Sequence, residues 1–135
     1  MSLWMMGWGL VTGDGTWRMP QLISTVILSS DAYTGGQTFN LTPVMVGFLL
    51  HELTSAAMGL LYALLIRLPL LRLVPLWTAV IYAFISWIVA ELWLFPFVSA
   101  TLAAESRSLP VGLAHIVFGL VLGLYALRVG EPLSD

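Results

Sequence analysis

Both histidines of this sequence begin the same short pattern, in which a small residue follows after four positions and a glycine after eight. Since positions i, i+4 and i+8 share one face of an α-helix, each pattern places an imidazole above a strip of small residues. An imidazole can bind a metal or haem iron, carry a proton or form hydrogen bonds, and small residues admit a flat ring or a second helix. The first strip is His51, Ser55 and Gly59, and the second strip is His115, Gly119 and Gly123.

Two carboxylates accompany the histidines inside apolar stretches. Glu91 lies in a segment of its own, and Glu52 follows His51 but points about 100° away from it around a helix. The helical rise places Glu91 and both histidines about 8–12 Å inside the prolines that bound their segments. Ionisable groups at such a depth in a bilayer are rare, and they pair with one another or mark a functional site. We therefore expect the Glu91 carboxylate to pair with a histidine of a neighbouring helix.

The composition indicates that lipid is the main solvent of this chain. Apolar residues make up 59% and charged residues 9%, and the mean hydropathy is +0.96. An ordinary soluble domain carries about 25% charged residues. The absence of cysteine excludes disulfides and thiolate metal sites, and a net charge of −2 without a basic run indicates no nucleic-acid partner.

Three apolar stretches are long enough to cross a bilayer, which takes about 20 residues. We expect spans over about residues 43–67, 76–95 and 110–128. At 135 residues the chain is predicted to form a single membrane domain, residues 1–135. The predicted fold class is an all-α integral membrane protein with three transmembrane helices and a short N-terminal interfacial helix.

Proline and glycine mark the ends of these segments. Pro43 is predicted to begin the first span and Pro96 to end the second, since proline is favoured in a first helical turn and disfavoured further in. Residues 1–41 are predicted to form an outer-face segment with a short helix over 20–30. Residues 99–108 are predicted to form a polar outer loop.

Arginine sets the expected orientation. Arg67, Arg72 and Arg128 fall at corresponding ends of the spans, and the positive-inside rule places those ends in the cytoplasm. Arg107 is the exception, alone in the outer loop beside Glu105. The expected location is a multi-pass position in the bacterial inner membrane.

Four interpretations of the two strips and Glu91 remain open. In the first, the small residues only pack helices together, and the histidines bond Glu91, serine or backbone carbonyls. In the second, both imidazoles hold a haem b, or one of them holds a (bacterio)chlorophyll, and Ser55, Gly59, Gly119 and Gly123 make room for the ring. That arrangement resembles membrane b-type cytochromes in the placing of one histidine on each of two helices.

The third interpretation is a proton or quinone site that uses Glu91, Glu52, His51 and His115. The fourth is a metal site for Zn, Fe or Mn on His51, His115 and Glu91. The segment HELTS is not the HExxH zinc motif, because Ser55 stands where the second histidine would be.

The chain carries no recognised catalytic motif, so the sequence favours a protein without catalytic activity of its own. The preferred function is a small integral subunit of a larger membrane complex, of an electron-transfer or photosynthetic kind. Its expected partners are membrane lipid and other integral subunits or further copies of itself, and its histidine pair ligates a cofactor or serves packing only. The alternative is an independent homo-oligomeric transporter, or a proton- or quinone-handling protein, that uses Glu91 and the two histidines.

Overall fold

A computed structural model of the protein describes residues 2–68, 71 and 74–129. All regular structure in these residues is helical, as the composition predicts. A 3₁₀ turn, Ser30–Ala32, lies between the second and third helices, and a π-helical turn, Ala90–Leu94, joins the fourth to the fifth. The α-helices are α1 (Ser2–Thr12), α2 (Arg18–Ser24), α3 (Leu41–Leu65), α4 (Pro75–Val89), α5 (Phe95–Val98), α6 (Ala100–Glu105) and α7 (Leu109–Val129).

Three helical stretches are long and apolar enough to cross a membrane, which confirms the prediction of three such helices. They coincide with the three apolar stretches of the sequence to within a few residues. Their bounds are Leu41–Leu65, Pro75–Val98 and Leu109–Arg128.

The second of these stretches runs past Pro96, where the sequence predicts its end. Proline lacks an N–H, and its ring collides with the carbonyl four residues earlier in an α-helix. The π turn lies directly before it, and there the Phe95 N–H donates to the Ala90 carbonyl, five residues back. This wider turn relieves the collision, so the chain stays helical to Val98.

The N-terminal segment is more helical and more buried than the sequence indicates. Its first helix, α1, was not predicted, and α2 begins earlier and ends sooner than the predicted helix over residues 20–30. Gln21 and Leu22 of α2 have no exposed surface. The carbonyl of Pro20 lies so close to Gly47 of α3 that a side chain there would collide with it. The segment therefore packs on the start of α3.

The region over residues 99–108, predicted to be a polar loop, contains α6. The Ser99 hydroxyl accepts a hydrogen bond from the Leu102 N–H at 3.1 Å, which caps the first turn of that helix. Ser99 also forms a 2.6 Å hydrogen bond with Thr25, just after α2. This contact ties the N-terminal segment to the connection between the second and third long helices.

The three long helices are unequally packed. Helices α4 and α7 form the most extensive helix pair of the described residues. Helix α3 is attached to α4 mainly by tyrosines: the Tyr62 hydroxyl donates to the Pro75 carbonyl at 2.7 Å, and the Tyr82 hydroxyl donates to the Met58 carbonyl at 3.0 Å. Four of the 25 residues of α3 are buried, namely Pro43, Val44, Gly47 and Tyr62. Most of α3 therefore faces away from the rest of the described protein.

Candidate functional site

The second strip is covered by a helix of the same chain. Gly119 lies against the backbone of α4, and a Cβ added to it would come within 2.7 Å of the Val80 Cα. A Cβ on Gly123 would approach the Leu76 Cα equally closely. These two glycines allow α4 and α7 to approach at backbone distance, so no space for a flat ring remains beside them.

The first strip is not covered in this way. A Cβ built on Gly59 would meet no described atom within 4 Å outside its own helix backbone. Ser55, one turn earlier, is only half-buried. The two patterns that look alike in the sequence therefore have different surroundings.

The two histidines differ in their hydrogen bonding. Nδ1 of His115 lies 2.9 Å from the Val111 carbonyl, and because a carbonyl can only accept, this nitrogen carries the proton. The Nε2 atom of His115 is then the one with a lone pair to offer. Nε2 of His51 is buried and has no hydrogen-bond partner among the described residues. An unpaired buried polar atom costs about 1–3 kcal/mol, so this nitrogen is a candidate for an interaction with another molecule.

The imidazole of His115 also lies near an aromatic ring of α4. The ring of His115 lies 6.2 Å from that of Trp87, measured between centroids. Trp87 stands between His115 and Glu91, because its indole N–H donates to that carboxylate.

Glu91 has partners other than the histidine expected from the sequence. Its Oε1 accepts the Trp87 indole N–H at 3.3 Å, and its Oε2 accepts the Ser106 hydroxyl at 3.0 Å. Nε of Arg107 lies 4.0 Å from Oε2. The connection after α6 folds back over the carboxylate and supplies Ser106 and Arg107, whereas Trp87 comes from α4 itself. Only 5% of Glu91 is exposed.

Ser106 and Trp87 were missed as partners of Glu91 by the sequence interpretation. Trp87 precedes Glu91 by four residues, and side chains at that spacing are neighbours on a helix, so this contact could have been found. Ser106 comes from a different element, and no local pattern indicates it.

Glu105 likewise pairs with a distant residue and not with its neighbour Arg107. Nη2 of Arg18 donates to the Glu105 carboxylate at 2.8 Å and to its carbonyl at 3.1 Å. Nε of Arg18 donates to the Tyr33 hydroxyl at 3.4 Å. Partial burial lowers the pKa of Arg18, but its hydrogen bonds with Tyr33 and Glu105 outweigh this and raise the pKa above its ordinary value. Arg18 therefore stays charged and holds the N-terminal segment to α6.

The proposed metal ligands do not form a recognisable centre. Among residues 2–68, 71 and 74–129, no group of three or more His, Cys, Asp and Glu side chains comes together that could hold a metal ion. Glu91 is engaged with Trp87 and Ser106, and Glu52 is exposed on α3.

A groove of about 470 Å³ lies beside Glu91, between the end of α4 and the start of α7. It combines apolar walls with one carboxylate and one guanidinium, and we call it the Glu91 groove. Its lining residues are Trp87, Ile88, Glu91, Leu92, Arg107, Ser108 and Leu109.

The first strip and the Glu91 groove are thus two places among the described residues where another molecule could bind. The first offers a buried nitrogen above an open glycine, and the second offers opposite charges in an apolar setting. No protein-family model, no curated protein and no solved structure matches this chain.

Proposed function

We propose that this protein is a three-span integral membrane subunit of a larger complex, and that its first strip binds a transmembrane helix of a partner subunit. The membrane is proposed to be the bacterial inner membrane, with Arg67 and Arg128 on the cytoplasmic side. Arg72, which the sequence groups with them, lies outside the described residues.

The observation that carries this proposal is the open space beside Gly59. Small residues at such spacing allow two helix backbones to approach closely in a bilayer. The second strip is occupied in this way by α4 of the same chain, whereas the first strip meets no described helix at Gly59. A partner helix would cover the first strip as α4 covers the second.

The unpaired Nε2 of His51 supports the same proposal. Hydrogen bonds between helices contribute about 0.6–2 kcal/mol each in membrane proteins. Because Nε2 has almost no accessible surface, the imidazole would have to turn toward the partner helix, where a serine, threonine or asparagine would pair with it. Association would then satisfy a polar atom that has no hydrogen-bond partner among the described residues.

A tetrapyrrole is a second candidate for the same place. The free Nε2 of His51 has the chemistry of an axial ligand for a (bacterio)chlorophyll or a haem b, and the ring would rest on Ser55 and Gly59. Helix α4 leaves no room for a ring beside Gly119 and Gly123 of the second strip, so the candidate is a site in which His51 is the one histidine ligand. Visible absorption of the protein purified from its native membrane, before and after reduction, tests this candidate.

The partner helix is tested by photo-cross-linking in native membranes. A photoreactive amino acid is placed at Ser55, and at Leu53 as the matched control. Leu53 is 59% exposed and lies about 200° around the helix from His51. We expect a discrete cross-linked product from position 55 but not from position 53.

The identity of the cross-linked product separates the alternatives. A different membrane protein supports the subunit proposal. A second copy of this chain would favour the homo-oligomeric transporter instead, and lipid adducts alone at both positions would contradict both.

A bulky substitution completes the test. Gly59→Leu fills the first strip, so the cross-linked product should be lost while the protein remains in the membrane. Gly7→Leu is the control, because Gly7 of α1 also has no described atom within 4 Å of an added Cβ. Equal loss in both variants would show that added bulk, and not the first strip, disturbs the complex.

A further inference from the structure

The Glu91 groove lies at the end of the long helices where the polar connections gather. Its floor and walls include Ile88 and Leu92 of the second long helix and Leu109 at the start of α7. Leu109 is 76% exposed and Trp93, nearby in sequence, is 70% exposed. Exposed tryptophan and apolar residues beside polar connections are typical of the level where lipid head groups meet acyl chains.

The charges in the groove are only loosely paired with each other. Nε of Arg107 lies 4.0 Å from Oε2 of Glu91, and the side chain of Arg107 is 61% exposed. A charge-assisted hydrogen bond between such groups is about 2.7–2.9 Å long. The guanidinium therefore has donors to spare for a second anion, and a guanidinium suits a phosphate because it can donate two parallel bonds.

The carboxylate also has acceptor capacity left. It receives one hydrogen bond on each oxygen, from Trp87 and from Ser106. An ionised carboxylate has about four lone-pair sites. Because Glu91 also lines the groove, an ammonium donor placed there could reach it.

We propose that the Glu91 groove binds a phospholipid whose head group carries a primary ammonium, as in phosphatidylethanolamine. The phosphate pairs with Arg107, the ammonium donates to Glu91, and an acyl chain lies along Ile88, Leu92 and Leu109. A lone anionic phosphate would meet the repulsion of Glu91, whereas a zwitterion matches both charges. This inference rests on the membrane location in the proposed function but not on a partner helix.

The choice of lipid gives a direct test, because the quaternary ammonium of phosphatidylcholine has no N–H to donate. The full chain is purified in detergent and stripped of lipid. Phosphatidylethanolamine, phosphatidylcholine and phosphatidylglycerol with identical acyl chains are then titrated separately and bound lipid is counted by native mass spectrometry. We expect phosphatidylethanolamine to bind about tenfold more tightly than either of the others, as loss of one charge-assisted bond implies.

Substitutions test which part of the lipid head group each charged side chain binds. Arg107→Gln should weaken binding of phosphatidylethanolamine about tenfold. Arg67→Gln, which changes an exposed arginine just after α3 and outside the groove, should leave it unchanged. Glu91→Gln should abolish the preference over phosphatidylcholine. Leu109→Trp obstructs the groove without altering either charge, so it should reduce binding even if Glu91→Gln fails to fold.

Three results would overturn the proposal: equal binding of phosphatidylethanolamine and phosphatidylcholine, tighter binding of phosphatidylglycerol, or a preference over phosphatidylcholine that survives Glu91→Gln. Alkaline extraction of native membranes is run in parallel. Release of the protein there would refute the membrane location itself, whereas retention with no lipid preference would refute only the lipid site.

Discussion

The first and second strips have the same spacing and opposite surroundings. On α7, Gly119 and Gly123 lie against α4, where even a methyl group would collide with backbone atoms. On α3, Gly59 faces no described atom within 4 Å of an added Cβ. The comparison teaches that a small-residue strip indicates the capacity for close approach. The path of the chain decides whether that capacity is used within the molecule.

The histidines at the heads of the strips show the same contrast. His115 bonds a carbonyl one turn earlier on its own helix, and its ring lies near Trp87 of α4. His51 has a buried nitrogen that no described group reaches. The histidine of the covered strip has a hydrogen-bond partner for its Nδ1, and the histidine of the uncovered strip has a buried Nε2 without a described partner.

The largest effect should come from adding bulk to the covered strip. Gly119→Leu would force α4 away from α7, since the added atoms meet the backbone of Val80 and Ala79, which cannot rotate away. Overpacking costs about 1–3 kcal/mol and sometimes more, and backbone contact places this variant at the upper end. Unfolding in mixed micelles of rising SDS content, followed by tryptophan fluorescence, measures the loss.

The matched variant on the uncovered strip is Gly59→Leu. In the isolated protein it should lower the free energy of unfolding by no more than about 0.5 kcal/mol, because nothing described crowds the added side chain. If the two variants destabilise the protein equally, the strips are not different and the comparison fails.

A smaller effect is expected from loosening the attachment of α3. Tyr62→Phe removes a hydroxyl that donates to the Pro75 carbonyl and lies 3.0 Å from the Thr78 hydroxyl. One hydrogen bond contributes about 0.5–1.5 kcal/mol, so the same unfolding assay should show a loss of that size. Tyr125→Phe is the control, because Tyr125 is 67% exposed on α7. An unchanged stability in Tyr62→Phe would mean that other contacts hold α3 in place.

The smallest effects should distinguish the histidines. His115→Leu loses the bond to Val111 and should cost about 0.6 kcal/mol in the isolated protein. His51→Leu keeps a similar volume and removes a buried nitrogen without a partner, so stability should stay the same or rise. A greater cost at His51 than at His115 would show that His51 is already satisfied, and the argument for a partner at the first strip would lose its second support.

Local pattern was sufficient for the long helices. Hydropathy and length predicted three helices able to cross a membrane, because each property depends only on residues within one segment. The same local information misplaced features that depend on neighbours. Pro96 was expected to end a helix that the π turn allows to continue, and residues 99–108 were expected to lack the helix that Ser99 caps.

What surrounds the candidate sites was decided by tertiary structure. Sequence alone identified His51, His115 and Glu91 as unusual, since ionisable groups in apolar segments are visible without a fold. It could not assign their partners, because helical periodicity defines a face and a depth but not the element that faces it. Ser106 reaches Glu91 across 15 residues, and Arg18 reaches Glu105 across 87. In the folded chain α4 packs on the second strip, whereas no described atom lies within 4 Å of a Cβ added to Gly59. Only this tertiary packing makes the two similar sequence patterns physically different.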